Sequence, residues 1–340
     1  MSLISILKRK NNKTLFTTPS HGGKFCISHK FYQWYKSDIS EVDVYNPTKA
    51  LMEAEANASK IYGTRWTKFL TNGSTSGVIA AILASKCETL LVWNNAHQCH
   101  KNGTKLAGCK IIEYELPLNK DLGIFEAIKP EQISELIRKH KEKNLAIVIT
   151  SPTYEGFSAD VKSISEICRK NNVKLIVDEA HGALYPFSDE LPESAVKYAD
   201  YTVQSLHKTA GGINPTALLH SNDNNPTEAL SMINTTSPSY PMLATIEANI
   251  NFLNSGRGKN CLNKLIENIK KLNLKKYNDD ITKIILKHPE MNGSELSEKL
   301  YEYGFEDERT NEKTTMLLCG IGTDEKKLQR LKKVLNKLGF

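Results

Sequence analysis

Apolar residues along the chain alternate between two patterns. Short runs rich in β-branched residues recur at 89–93 (TLLVW), 110–115 (KIIEYE), 145–150 (LAIVIT), 174–178 (KLIVD), 201–204 (YTVQ) and 217–220 (ALLH). Their length and continuity predict strands buried on both faces. Between them lie longer segments such as EQISELIRKHKEKN (131–144) and VKSISEICRKNNV (161–173). There the apolar residues recur every three or four positions, the spacing of one helix face. Strand, helix, strand in alternation predicts crossover units and a mainly parallel sheet with helices on both faces. In such sheets ligands bind beyond the carboxyl ends of the strands. After residue 253, NSGRGKN (254–260) reads as a Gly-rich break; GSELSEKLYEYGF (293–305), a strand-like TTMLLCGIG (314–322) and a final amphipathic helix follow. The pattern divides the chain into a large domain, 1–255, with an N-terminal arm over about 1–40, and a small α+β domain, 256–340.

Composition narrows the class. At 340 residues, 40% hydrophobic and 24% charged, the chain has the make-up of a soluble globular protein. No run approaches the roughly 18–20 apolar residues of a membrane span. The opening MSLISILKRKNNK puts its apolar piece before the basic residues and lacks a small-residue cleavage site, so no signal peptide is expected. Seven scattered cysteines (26, 87, 99, 109, 168, 261 and 319) form no Cys-x-x-Cys pair. They read as reduced thiols of a cytoplasmic protein, not as a disulfide framework or metal site. The net charge of +7 comes from lysines interleaved with acids and apolar residues at helical spacing. Those are solvated helix faces, not a nucleic-acid footprint.

Three motifs carry candidate chemistry. FLTNGSTSGVIAAILAS (69–85) is a strand end, a turn of small residues and an apolar helix. Free N–H groups at that helix start, with the Ser74, Thr75 and Ser76 hydroxyls, suit a phosphate, although a Ser/Thr cap explains the residue types equally well. No Walker lysine follows. KLIVDEAHGALYPF (174–187) places Asp178 at the end of a buried strand. An ionised carboxylate is costly there unless a cation or several donors meet it, and an ordinary helix cap is the alternative. YTVQSLHKTAGG (201–212) brings Lys208 to another strand end, between Ser205 and His207 on one side and a glycine pair on the other. A pyridoxal-phosphate site requires this combination: an amine for the aldehyde, a carboxylate for the pyridinium nitrogen, a helix start for the phosphate. The glycines beside the lysine are expected to leave room for the cofactor.

With these motifs the chain resembles the major domain of the ornithine/lysine/arginine decarboxylase family. The matches run in order: TPSHGGKF (18–25), TNGSTSG (71–77), NAHQCHKNG (95–103), SPTYEGFSADV (151–161), VDEAHGA (177–183), QSLHKTAGG (204–212) and TSPSYPMLATIE (236–247). The resemblance implies an α/β fold of pyridoxal-phosphate fold type I. That is a mainly parallel seven-stranded sheet with helices on both faces, like aspartate aminotransferase, plus a small C-terminal α+β domain. It implies pyridoxal 5'-phosphate as cofactor and Lys208 as the Schiff-base lysine. Asp178 corresponds to the pyridinium partner; Ala180 lies under the ring, and His181 beside it. Gly73, Ser74, Thr75, Ser205, His207 and Thr153 become further cofactor contacts. His97 corresponds to the histidine stacked over the ring. His100 competes for that role, and Asn102-Gly103 sets the ungapped register in favour of His97. Gln98 and Ser20 depart from the family's lysine and glycine.

The implied activity is decarboxylation of lysine, ornithine or arginine to the amine. An aminotransferase, lyase or oxidative deaminase, or a basic binding module retaining the fold, are the alternatives. Glu308 is the candidate for the substrate's cationic end, a solvated loop acid being the other reading. A carboxylate-clamping arginine would favour an aminotransferase; of Arg257, Arg309 and Arg330, only Arg309 is placed to reach a site. The resemblance further implies a cytoplasmic homodimer with active sites near the subunit interface, binding a small amino acid, with no nucleic acid, membrane or metal. It covers no wing domain and little of the C-terminal extension of large members, implying a short form.

Overall fold

A computed structural model of the chain describes residues 13–21, 33–36, 38–42, 44 and 46–340. Residues 22–25 of the arm motif and Cys26 lie outside them. The central sheet has seven strands in the order β2-β10-β9-β8-β7-β3-β4. These are β2 (Trp66–Leu70), β3 (Thr89–Trp93), β4 (Lys110–Tyr114), β7 (Leu145–Thr150), β8 (Lys174–Asp178), β9 (Tyr201–Ser205) and β10 (Ala217–Ser221). All pairings are parallel except those of β10, which runs antiparallel to both β2 and β9.

Burial explains why β3, β7, β8, β9 and β10 were readable, while β4, at the sheet edge and largely exposed, was readable from its apolar residues alone. Successive residues of a strand point to opposite faces, and both faces are covered. Leu90, Val92, Ala146, Val148, Ile176 and Val203 enter one buried cluster. Their neighbours Leu91, Leu145, Ile147, Ile149, Leu175 and Val177 enter another. Each such side chain contributes roughly 1.5–3 kcal/mol by leaving water. The seventh strand, β2, has no continuous apolar run. Lys68 interrupts it, half-buried, with its Nζ 2.7 Å from Glu55 Oε2.

The C-terminal unit holds a three-stranded antiparallel sheet of β11 (Lys283–Leu286), β14 (Thr315–Leu318) and β13 (Arg309–Thr310). Helices Gly293–Glu302 and Glu325–Lys337 flank it. The expected Gly-rich break is narrower than its composition suggests. Helix Tyr240–Asn254 ends, Ser255 intervenes, and helix Gly256–Lys270 begins at once. The Ser255 hydroxyl accepts from Gly258 N at 3.1 Å, so one capping serine turns the chain and the glycines fall inside the next helix.

The arm belongs structurally to the far end of the chain. Its strand β1 (Thr14–Leu15) pairs in parallel with β12 (Phe305–Glu306). Leu318 N donates to Phe16 O at 2.7 Å. A short hairpin, β5 (Leu118–Asn119) and β6 (Ile124–Phe125), completes the strands. Among the described residues no helix is long and apolar enough to cross a membrane.

Behind the sheet end, Glu179 is 1% exposed and accepts from Ser194 Oγ (2.7 Å), Ala195 N (2.8 Å) and Gln204 Nε2 (2.6 Å). Burial pushes its carboxyl from 4.5 up to about 7, and the three donors offset this only in part. The raised value sets the sign. Below about 4.5 both states hold the proton; as pH rises towards 7 only the unfolded chain releases it, so stability falls. The shift, 7 − 4.5 = 2.5 units, amounts to about 3 kcal/mol. Urea unfolding should therefore show Glu179→Gln gaining on the parent by up to about 3 kcal/mol between the two pH limits. Parallel pH profiles for the two proteins would contradict this account.

Candidate active site

The carboxyl ends of several sheet strands converge on a cavity of about 590 Å³. Its wall includes Trp93, Thr150 and Asp178, the last residues of β3, β7 and β8, and Lys208, three residues past β9. This is where a sheet with crossover connections leaves room for a ligand.

Lys208 lies in the single helical turn Leu206–Thr209. Leu206 N and His207 N both reach the Thr216 carbonyl, at 3.0 and 3.4 Å, and hold that turn against the start of β10. The glycine pair serves the backbone, which corrects the expectation that it makes room for a ligand. Gly211 has φ +80°. A Cβ on Gly212 would stand 2.6 Å from Thr216 Oγ1 and 2.8 Å from Leu206 Cβ. Neither glycine lines the cavity.

The Lys208 amine lies 2.9 Å from His181 Nε2. At that separation the two nitrogens share one proton, so at least one is neutral. Burial lowers the Lys208 pKa; Asp178 and Glu308 oppose the shift, and the Lys283 ammonium adds to it. Burial, reinforced by Lys208 and Lys283, puts His181 well below its ordinary value.

Asp178 takes the opposite course. Burial would push its carboxyl up, but the His100 hydrogen bond and charge, Lys208 and the Ala180 N–H together hold it below the ordinary range. His100 Nε2 lies 2.8 Å from Oδ2, and Ala180 N donates to Oδ1 at 3.1 Å. His100 is fully buried behind the carboxylate, whereas His97 lines the cavity. His97 Nδ1 caps helix Gln98–Ala107 by accepting from Cys99 N at 3.3 Å, which leaves Nε2 free to exchange a proton. Burial lowers the His97 pKa, so its ring is neutral at neutral pH. Cys99, His100 and Asp178 have ligand-type atoms within 4.8 Å of one another. Within this group His100 and Asp178 bond directly at 2.8 Å, and Cys99 Sγ lies 3.0 Å from His97 Nδ1.

At the other end, Gly73, Ser74 and Thr75 line the cavity as the first residues of helix Gly73–Ser85. Its N-cap, Asn72, makes no side-chain cap, so the first N–H groups remain available to an anion. The Ser76 hydroxyl turns away to Gly73 O at 2.9 Å. His207 lines the wall with Nδ1 fixed 3.0 Å from Thr216 O.

Three expected contacts lie elsewhere. Thr153 is buried in its own turn, its Oγ1 accepting from Phe157 N at 3.2 Å; Thr150 lines the cavity in its place. Ser205 is fully buried behind the wall with an unpartnered Oγ. The Glu308 carboxylate is occupied: Oε2 accepts from Thr18 N at 2.6 Å and Oε1 from Tyr154 OH at 2.5 Å. Besides Asp178, the acid that lines the cavity is Glu155, whose side chain is 12% exposed and lies 3.4 Å from Arg309. Burial raises the Glu155 carboxyl and Arg309 opposes the rise. The Arg309 guanidinium also lies over the Tyr154 ring at 4.8 Å, and that ring packs 4.6 Å from His181. Tyr154 and Glu155 stand inside the SPTYEG motif; their role was not legible because their partners are 150 residues away.

Comparison with known proteins gives the fold and the family. The fold is pyridoxal-phosphate fold type I. The family model for the Orn/Lys/Arg decarboxylase major domain matches residues 3–315. The chain belongs to that family. It is 31% identical over 256 residues to the YaaO protein of Bacillus subtilis, covering 70% of this chain and 53% of the relative. An arginine decarboxylase of Bacillus cereus is 31% identical over 214 residues, with 60% and 46% covered. Lysine decarboxylase A from Pseudomonas aeruginosa superposes with a TM-score of 0.73 at 18% identity, over 85% of this chain and 50% of that one. The chain thus spans about half the length of the curated relatives it matches.

The geometry around Lys208 makes Gly212 a sensitive position. Gly212→Ala should cost about 1–3 kcal/mol in urea unfolding, because the methyl overpacks Thr216 and Leu206. An unchanged midpoint would mean that the turn carrying Lys208 is looser than drawn.

Proposed function

We propose that the chain is a pyridoxal-phosphate-dependent decarboxylase acting on lysine, ornithine or arginine. One observation carries the reading: a desolvated amine, a buried ionised carboxylate and an uncapped helix start line the same cavity. These fit the cofactor's aldehyde, ring nitrogen and phosphate in turn. Thr150 Oγ1, on the cavity wall, is a buried hydroxyl with no protein partner, as expected where a polar ligand belongs.

When bound, the cofactor supplies an aldehyde for the amine and a protonated ring that accepts electrons from Cα. The protein's part is to hold and move protons. Lys208 Nζ stays reactive because burial disfavours its charge. Asp178, kept ionised by His100 and Ala180 N, would hold the cofactor's ring nitrogen protonated. The Gly73–Thr75 backbone and His207 would hold the phosphate. Ala180 and His97 would bound the ring. Lys208 Nζ and His97 Nε2 are the groups able to return a proton to Cα once carbon dioxide has left. Glu155 would offer a cationic side chain an acidic wall only by giving up Arg309. Arg309 is engaged by Glu155 and Tyr154, which supports a decarboxylase over a carboxylate-clamping aminotransferase.

Purified protein supplied with the cofactor should turn yellow, and borohydride should fix the cofactor to the Lys208 peptide. It should release amine and carbon dioxide from one of the three amino acids. Arg309→Ala should keep turnover within about an order of magnitude, a barrier change of about 1.4 kcal/mol. Stoichiometric keto acid, with collapse of activity in that variant, would decide for the aminotransferase; no adduct at all would end the reading.

We further propose a homodimer. A groove of about 910 Å³ lined by Leu51, Met52, Phe69 and Leu230 opens beside helix Pro47–Tyr62, with Met52 63% exposed. Light scattering should give about twice 38.1 kDa, and a monomer mass would refute it.

A further inference from the structure

The C-terminal unit holds one fully buried charged side chain against the backbone of His181, outside the cavity wall. Lys283, the first residue of β11, has a side chain with 0% exposure. Its Nζ pairs with Asp280 Oδ2 and donates to the His181 carbonyl at 3.1 Å. Asp280 is saturated in turn. Its Oδ1 accepts from Thr282 N at 2.8 Å and Thr282 Oγ1 at 2.7 Å, and its Oδ2 from Tyr185 OH at 2.9 Å. A fully buried ion pair is poor value for stability, since an apolar pair of the same volume serves as well or better. Its position gives it another use. The carbonyl it grips belongs to the residue whose imidazole touches Lys208 at 2.9 Å.

We propose that Lys283 is a positioning residue of the active site, clamping the His181 backbone from the C-terminal unit so that the imidazole stays against the reactive amine. The proposal rests on the reading of Lys208 as that amine. Charge acts in the same direction as geometry. Lys208 faces Asp178, Glu308 and Cys99, which favour its protonated form, and Lys283, which disfavours it. His97, His181 and His207 complete the titratable groups around it. Around Lys283 itself the charged or titratable neighbours are Asp280, Tyr185, His181 and Cys319. Removing the Lys283 charge should make Lys208 harder to deprotonate.

The test uses the full chain freed of cofactor. Competitive acetylation with acetic anhydride across a pH series, read by peptide mass spectrometry, gives the deprotonation midpoint of Lys208 against surface lysines. In Lys283→Met with Asp280→Asn, which removes both charges together, the Lys208 midpoint should rise by half a unit or more. That is about threefold less labelling on the acid side. Lys283→Arg, which keeps charge and donor, should hold the parent midpoint. Lys283→Gln with Asp280→Asn, a neutral pair that can still donate to the His181 carbonyl, should raise the midpoint less than the methionine pair does. An equal rise would leave charge without a clamp and overturn the proposal. Should the methionine pair fail to fold, Lys283→Leu with Asp280→Asn takes its place. An unchanged midpoint in a folded neutral pair, or an equal rise in Lys283→Arg, overturns the proposal and leaves Lys283 as packing. A parent Lys208 that labels like a surface lysine overturns both this proposal and the reactive-amine reading beneath it.

Discussion

Desolvation at the carboxyl edge of the sheet is the constraint from which the rest follows. The central strands β3, β7 and β8 carry apolar side chains to both faces, and water is driven from the few polar groups at their tips. An isolated charge would be intolerable in that setting. The protein answers with paired assignments. Asp178 keeps its charge because His100 and Ala180 N meet it, whereas Lys208 and His181 press against each other and cannot both be cationic. One sheet edge thus holds an anion and a reluctant cation a short distance apart, without a general rise in polarity.

The walls of the cavity are assembled from distant parts of the chain. Tyr154 packs on His181, carries Arg309 over its ring and donates to Glu308, which also holds Thr18 of the arm. A single aromatic residue in the loop after β7 therefore joins the sheet, the C-terminal unit and the arm at the cavity rim. The buried Lys283–Asp280 pair makes a second such junction from below, through Tyr185 and the His181 carbonyl.

What the sequence disclosed and what it hid divide along range. Strands covered on both faces announce themselves in composition, so β3, β7 and β8 read to the residue. The edge strand β2, with Lys68 in its middle, did not. Lys208 and Asp178 were legible because residue type and position at a strand end are both local. His100 was weighed as a rival to His97 over the ring; only packing showed it behind Asp178. Glu308 was recognised as belonging near the site, but its carboxylate is consumed by Thr18 and Tyr154, contacts that no local pattern encodes. The glycines after Lys208 were noticed for a steric reason that applies to the backbone and not to the ligand.

The arm's attachment has a consequence for how the molecule comes into being. Thr14 and Leu15 pair with residues 305 and 306, Phe16 O waits for Leu318 N, and Thr18 for Glu308. Ser20 packs where Gly320 comes so near that a Cβ there would stand 2.0 Å from the Ser20 hydroxyl. A ribosome delivers these partners in the reverse of convenient order, the arm at the start and its seat some three hundred residues later. Strands β7, β8 and β9 can pair while synthesis continues, each beside the one just made, whereas β2 waits for β10. The rim waits longer still. The cavity mouth therefore stays unfinished until residues 305–320 are made, and those later residues draw the arm into place.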